Sequence, residues 1–269
     1  MSESQSKVYF AEGEDPEMMR AYENARATFR YFWREVAWER RRIVPALDLA
    51  SVKAPFSDGE QGTGSKDTPE VEHMWLSEVD FDGQCVTGVL LNAPNWLKSV
   101  KEGDSARIPL GQISDWMYAI RGEVFGAYTV NLLRSRMGRR ERQEHDAAWG
   151  LNFGDPTRIR VAPEPNKGGG FPKNWFGKKQ ADPDEHPMSV GMASSLKEQI
   201  AKDPSLVSAK DDKGWTFLHQ EASAGNTGTV QVLLEAGADP KAVTNLGMTP
   251  LQLAKALGWE KVVALLATK

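Results

Sequence analysis

Gly214-Trp215-Thr216-Phe217-Leu218-His219 reappears downstream as Gly247-Met248-Thr249-Pro250-Leu251-Gln252. Gly225 recurs as Gly258, Val230 as Val263 and Leu233 as Leu266, every pair offset by 33 residues. A fixed period of this length marks stacked supersecondary units. Each copy reads as two helices joined by a tight turn. Thr216 and Thr249 stand where a side-chain oxygen caps a helix, Leu218 and Leu251 bury between the paired helices, and Gly225 and Gly258 permit the turn. A single copy leaves its own apolar face uncovered, so two clear copies need neighbours.

Upstream, residues 189–200 are again helical in pattern, with Ser194 or Ser195 as the cap and Asp203-Pro204 as the stop. Thr216-Phe217-Leu218-His219, Gly225, Val230, Leu233-Leu234 and Gly237-Ala238-Asp239 together resemble the ankyrin family. So do Thr249-Pro250-Leu251-Gln252, Gly258, Val263 and Leu265-Leu266. The resemblance implies an all-α ankyrin-repeat domain over residues 189–269. It also implies that hairpin tips and inner-helix faces hold a protein partner. The matching positions are Asp212, Lys213, Trp215, Ala224, Asn245, Leu246, Met248 and Leu257. An exposed Trp215–Met248 strip is the expected anchor. The opposite reading is that the repeats only brace the chain. Three positions depart from the family pattern: Phe217 replaces the usual Pro, Gln252 the usual His, and Glu221 sits where a small residue is common. Glu221 is expected to be either exposed on the binding face or paired.

The rest of the chain has a different rhythm. Residues 1–15 are polar and acidic and read as a flexible N-terminus. Pro16 opens a helix whose apolar face runs from Met19 to Val36; Arg40-Arg41-Arg42 is expected to be a solvated rim before Pro45. Strand patterns follow at 50–56, 73–79 and 85–91, the last two joined through the turn Phe81-Asp82-Gly83-Gln84. Residues 57–69 read as a mobile loop and 94–100 as a short helix. Further strands are expected at 107–110, 113–120 and 126–133, then a helix at 139–149 and a strand-like alternation at Ile159 and Val161. Residues 16–165 therefore predict an α+β domain with an antiparallel sheet. Gly168-Gly169-Gly170 and repeated prolines make 166–188 a linker. Its Phe171, Trp175 and Phe176 are expected to pack partly on a domain surface.

Glu72-His73-Met74-Trp75, Gly88-Val89-Leu90-Leu91-Asn92-Ala93-Pro94, Ile113-Ser114-Asp115-Trp116-Met117-Tyr118 and Gly126-Ala127-Tyr128-Thr129-Val130 resemble a bacterial domain of unknown function, family 2314. His145-Asp146-Ala147-Ala148-Trp149-Gly150 and Phe153-Gly154-Asp155-Pro156 resemble its longer members. Domains of this family sit in polymorphic-toxin and type VI secretion loci, where ankyrin repeats are frequent among antitoxins. The resemblance thus implies an immunity protein that neutralises a cognate secreted toxin, plausibly a nuclease, by stoichiometric binding. An adaptor with another bacterial client is the second reading.

A third reading is a hydrolase acting through Glu72, His73 and Asp115, with Trp116 beside them as part of the same N-terminal site. Spacing argues against it. Glu72-His73 has no metal-ligand partner at a strong interval, and there is no His-Glu-x-x-His, paired Cys or Gly-rich phosphate loop. No catalytic residue, metal or cofactor is expected. Asp115-Trp116 is expected to close a turn and fill a core. The net charge of −4 disfavours direct nucleic-acid or anionic-membrane binding and suits a basic partner. The lone Cys85 is expected in a buried strand, which fits a reducing compartment. With no secretory pattern at the start and no apolar run of spanning length, a cytoplasmic location is expected.

Overall fold

The structure, a computed structural model, describes residues 15–58, 71–163 and 184–268. The expected flexible segment before Asp15, most of the 57–69 loop and the linker aromatics Phe171, Trp175 and Phe176 lie outside the described residues. The chain forms two compact units that interleave in sequence. The first holds the chain up to Thr28, Ala46–Asp80 and Val86–Val161. The second holds Phe29–Pro45, Phe81–Cys85 and the chain from Ala162 onward.

Helix α1, Pro16–Glu39, opens where expected. Asp15 Oδ1 accepts the Glu17 N–H at 2.9 Å, and Pro16 takes the first-turn position where no N–H is needed. Only its first half belongs to the first unit. The sheet there has six strands in the order β4-β3-β2-β1-β5-β6. They are β1 Leu49–Phe56, β2 Glu72–Phe81, β3 Cys85–Leu90, β4 Ser105–Pro109, β5 Asp115–Ile120 and β6 Glu123–Gly126. Strand β1 pairs antiparallel with β2 (Val52 opposite Leu76) and with β5 (Val52 opposite Trp116). One face buries Val52, Ala54, Met74 and Leu76; Trp116 joins it, its Nε1 donating to the Ala25 carbonyl at 2.8 Å. Met117 and Ala119 point the other way and pack with Val124, Val130 and Phe153.

The antiparallel α+β expectation holds for this unit, with three local corrections. Residues 128–136 form helix α2, Tyr128–Arg136, rather than a last strand. Gly126 (φ 75°) and Ala127 (φ 56°) turn the chain through left-handed conformations, and a Cβ on Gly126 would overlap the Trp116 ring. The buried Asp115 carboxylate then accepts the N–H groups of Tyr128 and Thr129 at 2.9 and 2.8 Å, capping the helix. A β-branched pair, Thr129-Val130, looks like strand only when this cap is ignored. Residues 94–100 form no helix: the N–H groups of Asn95 and Trp96 go to Glu72, and those of Lys98 and Ser99 to Asp58. Residues 159–161 form no strand; the Arg160 and Val161 carbonyls accept from Gly126 N–H and the Tyr118 hydroxyl. Helix α3, Arg139–Trp149, forms as expected. It is tied to α2 by Arg134, 1 % exposed, whose guanidinium grips both Asp146 oxygens at 2.8 and 2.6 Å.

The second unit carries α4 Ser189–Lys202, α5 Phe217–Ser223, α6 Thr227–Glu235, α7 Pro250–Leu257 and α8 Glu260–Ala267. Ser194 and Ser195 lie inside α4, which starts earlier, at Ser189, whose Oγ donates to Glu185 Oε1 at 2.8 Å. Both expected threonine caps form reciprocal capping boxes, Thr216 with His219 and Thr249 with Gln252. Gly225 and Gly258 adopt φ of 74° and 72°. A Cβ on Gly225 would lie 2.5 Å from the Trp259 ring, so this turn requires glycine twice over.

The second half of α1 completes this unit. Trp33 Nε1 donates to Ser223 Oγ at 3.2 Å, and the Tyr31 ring meets Trp259 edge-on at 6.0 Å. Arg41 reaches Glu221 at 2.6 Å. The expected solvated arginine rim is therefore corrected. Arg40 lies over the Trp33 ring, Arg41 neutralises a buried carboxylate, and Arg42 pairs with Glu39 at 2.7 Å. A buried Glu at a small-residue position creates the demand that draws Arg41 inward. The last linker residues are also anchored. Tyr31 Oη donates to Asp184 at 2.9 Å, and His186 stacks on Trp38 at 4.7 Å.

Glu221 is paired, as one of its two expected readings required. It also accepts from Asn226 at 2.8 Å and from the Thr229 hydroxyl, with 3 % of its surface exposed. Glu221→Ala strands a guanidinium and two polar groups and should cost about 3 kcal/mol. Urea unfolding checks this, with the exposed Asp212→Ala as a control expected within about 0.5 kcal/mol of the parent.

Candidate functional site

Two surfaces and one buried cluster carry the polar and aromatic residues of interest. The first surface is the pair of hairpin tips in the ankyrin unit. Asn245 N–H donates to the Lys213 carbonyl and Asn245 Nδ2 to the Asp212 carbonyl, both at 2.9 Å. The Lys210 ammonium donates to the Val243 carbonyl, again 33 residues on, at 3.2 Å. A Cβ on Gly214 (φ 74°) would meet Asn245 Oδ1 at 2.5 Å, so the tips touch only because residue 214 has no side chain. This ladder ties Asp212, Lys213 and Asn245 together while leaving them exposed; Leu246, also exposed, has its N–H held by Thr244 Oγ1 at 3.3 Å.

The expected strip is narrower than its sequence. Trp215 is 6 % exposed, with its N–H held by Asp211 Oδ1 at 2.8 Å, so it is not an exposed anchor. Ala224 and Leu257 are buried on the faces that close their helix pairs. Met248 is half-buried, its sulfur 3.6 Å from Gln84 Nε2. Leu246, half exposed, and Val243, 45 % exposed, are large apolar side chains left at the tips.

His219 explains how the tips are held from beneath. Its Nδ1 accepts the Thr216 N–H at 3.1 Å, so Nε2 carries the proton and donates to the carbonyls of Ala242 and Met248, each at 3.1 Å. Burial holds its pKa below the ordinary value, against the pull of those carbonyls.

In the first unit, Glu72, His73, Asp115 and Trp116 do not form one constellation. The Glu72 carboxylate is occupied by Asn95 and Trp96. That of Asp115 is occupied by the N-terminus of α2 and by the Thr129 hydroxyl at 2.6 Å, and burial pushes its pKa up. Trp116 is fully buried. His73 stacks on Tyr22 at 5.1 Å, and its Nδ1 lies 2.9 Å from Ser114 Oγ. Ser114 donates its proton to the Lys53 carbonyl at 3.1 Å and is 1 % exposed, so the pair lacks an activated, reachable nucleophile. Each of the four makes contacts that hold the fold locally. No group of three or more His, Cys, Asp or Glu able to hold a metal occurs among the described residues.

The second surface was not legible from sequence. A cavity of about 600 Å³ opens on the sheet face, lined by Leu49, Trp75, Met117, Leu91 and Trp149 with Ser51, Ser77, Glu78 and Asn92. Strand β2 alternates until Glu78, which adopts φ 50° and shifts the phase by one, so Ser77 and Glu78 both turn to this face. Trp149 reaches it from the end of α3, about 70 residues away in sequence.

Burial, with the nearby Lys53 charge, lowers the His73 pKa to about 4. The unfolded imidazole, with an ordinary value of 6.5, binds more protons between those limits. Stability from this group is complete above about pH 6.5 and is lost as pH falls toward 4; His219 adds in the same direction. Between pH 7 and pH 5 the His73 contribution should fall by about 2 kcal/mol. Urea midpoints at the two pH values check this: His73→Gln should remove much of the difference, and an unchanged slope would contradict it.

Comparison with known proteins agrees with this architecture. Residues 15–153 match the family described as "Uncharacterized protein conserved in bacteria (DUF2314)", and residues 188–269 match the family described as "Ankyrin repeats (3 copies)". Within that stretch α5–α6 and α7–α8 form the two clear helix pairs, with α4 preceding them. The chain is 42 % identical over 263 residues to a putative ankyrin repeat protein of Neisseria meningitidis serogroup B, covering 97 % of each chain. It is 33 % identical over 86 residues to the uncharacterized protein YegJ of Escherichia coli, covering 32 % of this chain and 50 % of that one. No helix among the described residues is long and apolar enough to cross a membrane. The chain belongs to the bacterial DUF2314 family, here joined to ankyrin repeats of a kind associated with protein–protein interaction.

Proposed function

We propose that the protein is a cytoplasmic immunity protein that binds a cognate secreted toxin and neutralises it without chemistry of its own. The observation that carries the reading is the tip ladder, which ties the exposed Asp212, Lys213 and Asn245 by hydrogen bonds between neighbouring repeats, with the exposed Leu246 beside them. Preorganised exposed groups lose little entropy on docking. The net charge of −4 suits a basic partner such as a nuclease. Binding is favoured over the hydrolase alternative because the Glu72 and Asp115 carboxylates are engaged by backbone N–H groups of the fold.

Co-expression with the toxin encoded beside its gene should restore growth, and the pair should co-purify. Leu246→Asp should weaken the complex at least tenfold, about 1.4 kcal/mol, with an unchanged urea midpoint. Failure to rescue or bind any neighbouring toxin would overturn the proposal.

A further inference from the structure

We infer that the open face of the six-stranded sheet is a second docking site, for a partner segment that presents a large apolar side chain beside a lysine or arginine. The cavity there, about 600 Å³, is within the size range of built binding pockets. Its floor is Trp75 and Met117. Its walls include Leu91 and Trp149, which stay 46 % and 41 % exposed. Two exposed large apolar side chains flanking one concavity make an anchor pocket rather than scattered surface hydrophobes.

Charge selects the occupant. Glu78 is the ionisable residue of the lining, is exposed, and makes no salt bridge among the described residues. Its backbone holds φ 50°, a left-handed conformation that is strained for a non-glycine residue. That strain sits at a residue that lines the pocket. Lys53 lies over the Trp75 ring at 5.5 Å and stands opposite the buried Asp115 in the strand pairing. An aromatic or aliphatic side chain filling the pocket would bring an adjacent cation to Glu78 and an adjacent anion into repulsion with it. This site lies apart from the ankyrin tips, and its test needs no toxin, so it stands or falls independently of the immunity reading.

The test titrates the full chain with acetyl-Lys-Trp-Lys-amide, acetyl-Glu-Trp-Glu-amide and tryptamine, followed by backbone amide shifts. The basic peptide should move Ser77, Glu78 and Leu91 saturably and bind at least tenfold tighter than the acidic one. Glu78→Lys should reverse that order, and Ser77→Trp, which fills the cavity, should abolish both. Absence of saturable shifts, equal affinity for the two peptides, or tryptamine binding as tightly as the basic peptide would overturn the inference. Urea midpoints near the parent's identify variants that remain folded.

Discussion

Two ankyrin helix pairs and the single helix α4 cannot cover their own apolar faces, and the second unit is built around that constraint. Its remedy comes from far away in the sequence. Residues 29–45 bring Trp33 to Ser223, Tyr31 to Trp259 and Arg41 to Glu221, while Phe81 packs against both Phe29 and Trp33. Repeat proteins ordinarily solve the same problem with polar capping repeats. Here a helical segment outside the repeats supplies aromatic cover and a counter-ion for the one charge buried in an inner helix.

That segment also concentrates buried charge. Glu35, 1 % exposed, lies within 3.5 Å of Arg34, 3.7 Å of Arg42 and 3.5 Å of His186. Burial alone would raise its pKa; the His186 hydrogen bond and the surrounding cations lower it instead. Buried ion networks are weak sources of net stability, but removing one member is costly. Such a network therefore favours one way of seating the segment over any apolar alternative with the same area.

The repeats were legible because their evidence is local. Capping threonines, turn glycines and buried leucines lie within one helix pair, and a period of 33 repeats the message. The sheet was legible from alternation, except where long-range contacts decided the outcome. Residues 128–136 form a helix because Asp115 caps it from another strand, and 94–100 fail to form one because Glu72 and Asp58 take their N–H groups. The candidate sites were harder. Trp215 is buried although its repeat position is a surface one, and the sheet-face cavity depends on Trp149 and a phase shift at Glu78. One sequence signal was available: an acidic residue at a small-residue position, with an arginine run elsewhere, points to a buried ion pair.

Both proposed binding surfaces depend on rigid support beneath exposed groups. At the tips the support is His219 and the ladder between neighbouring repeats; on the sheet it is β2 and its altered phase. The ankyrin support in turn requires that residues 29–45 complete the unit. The most direct measurement compares an isolated fragment of residues 184–269 with the full chain by far-ultraviolet circular dichroism and urea titration. The account predicts a fragment with little helix and no cooperative transition. A fragment that unfolds cooperatively with full helical content would contradict it.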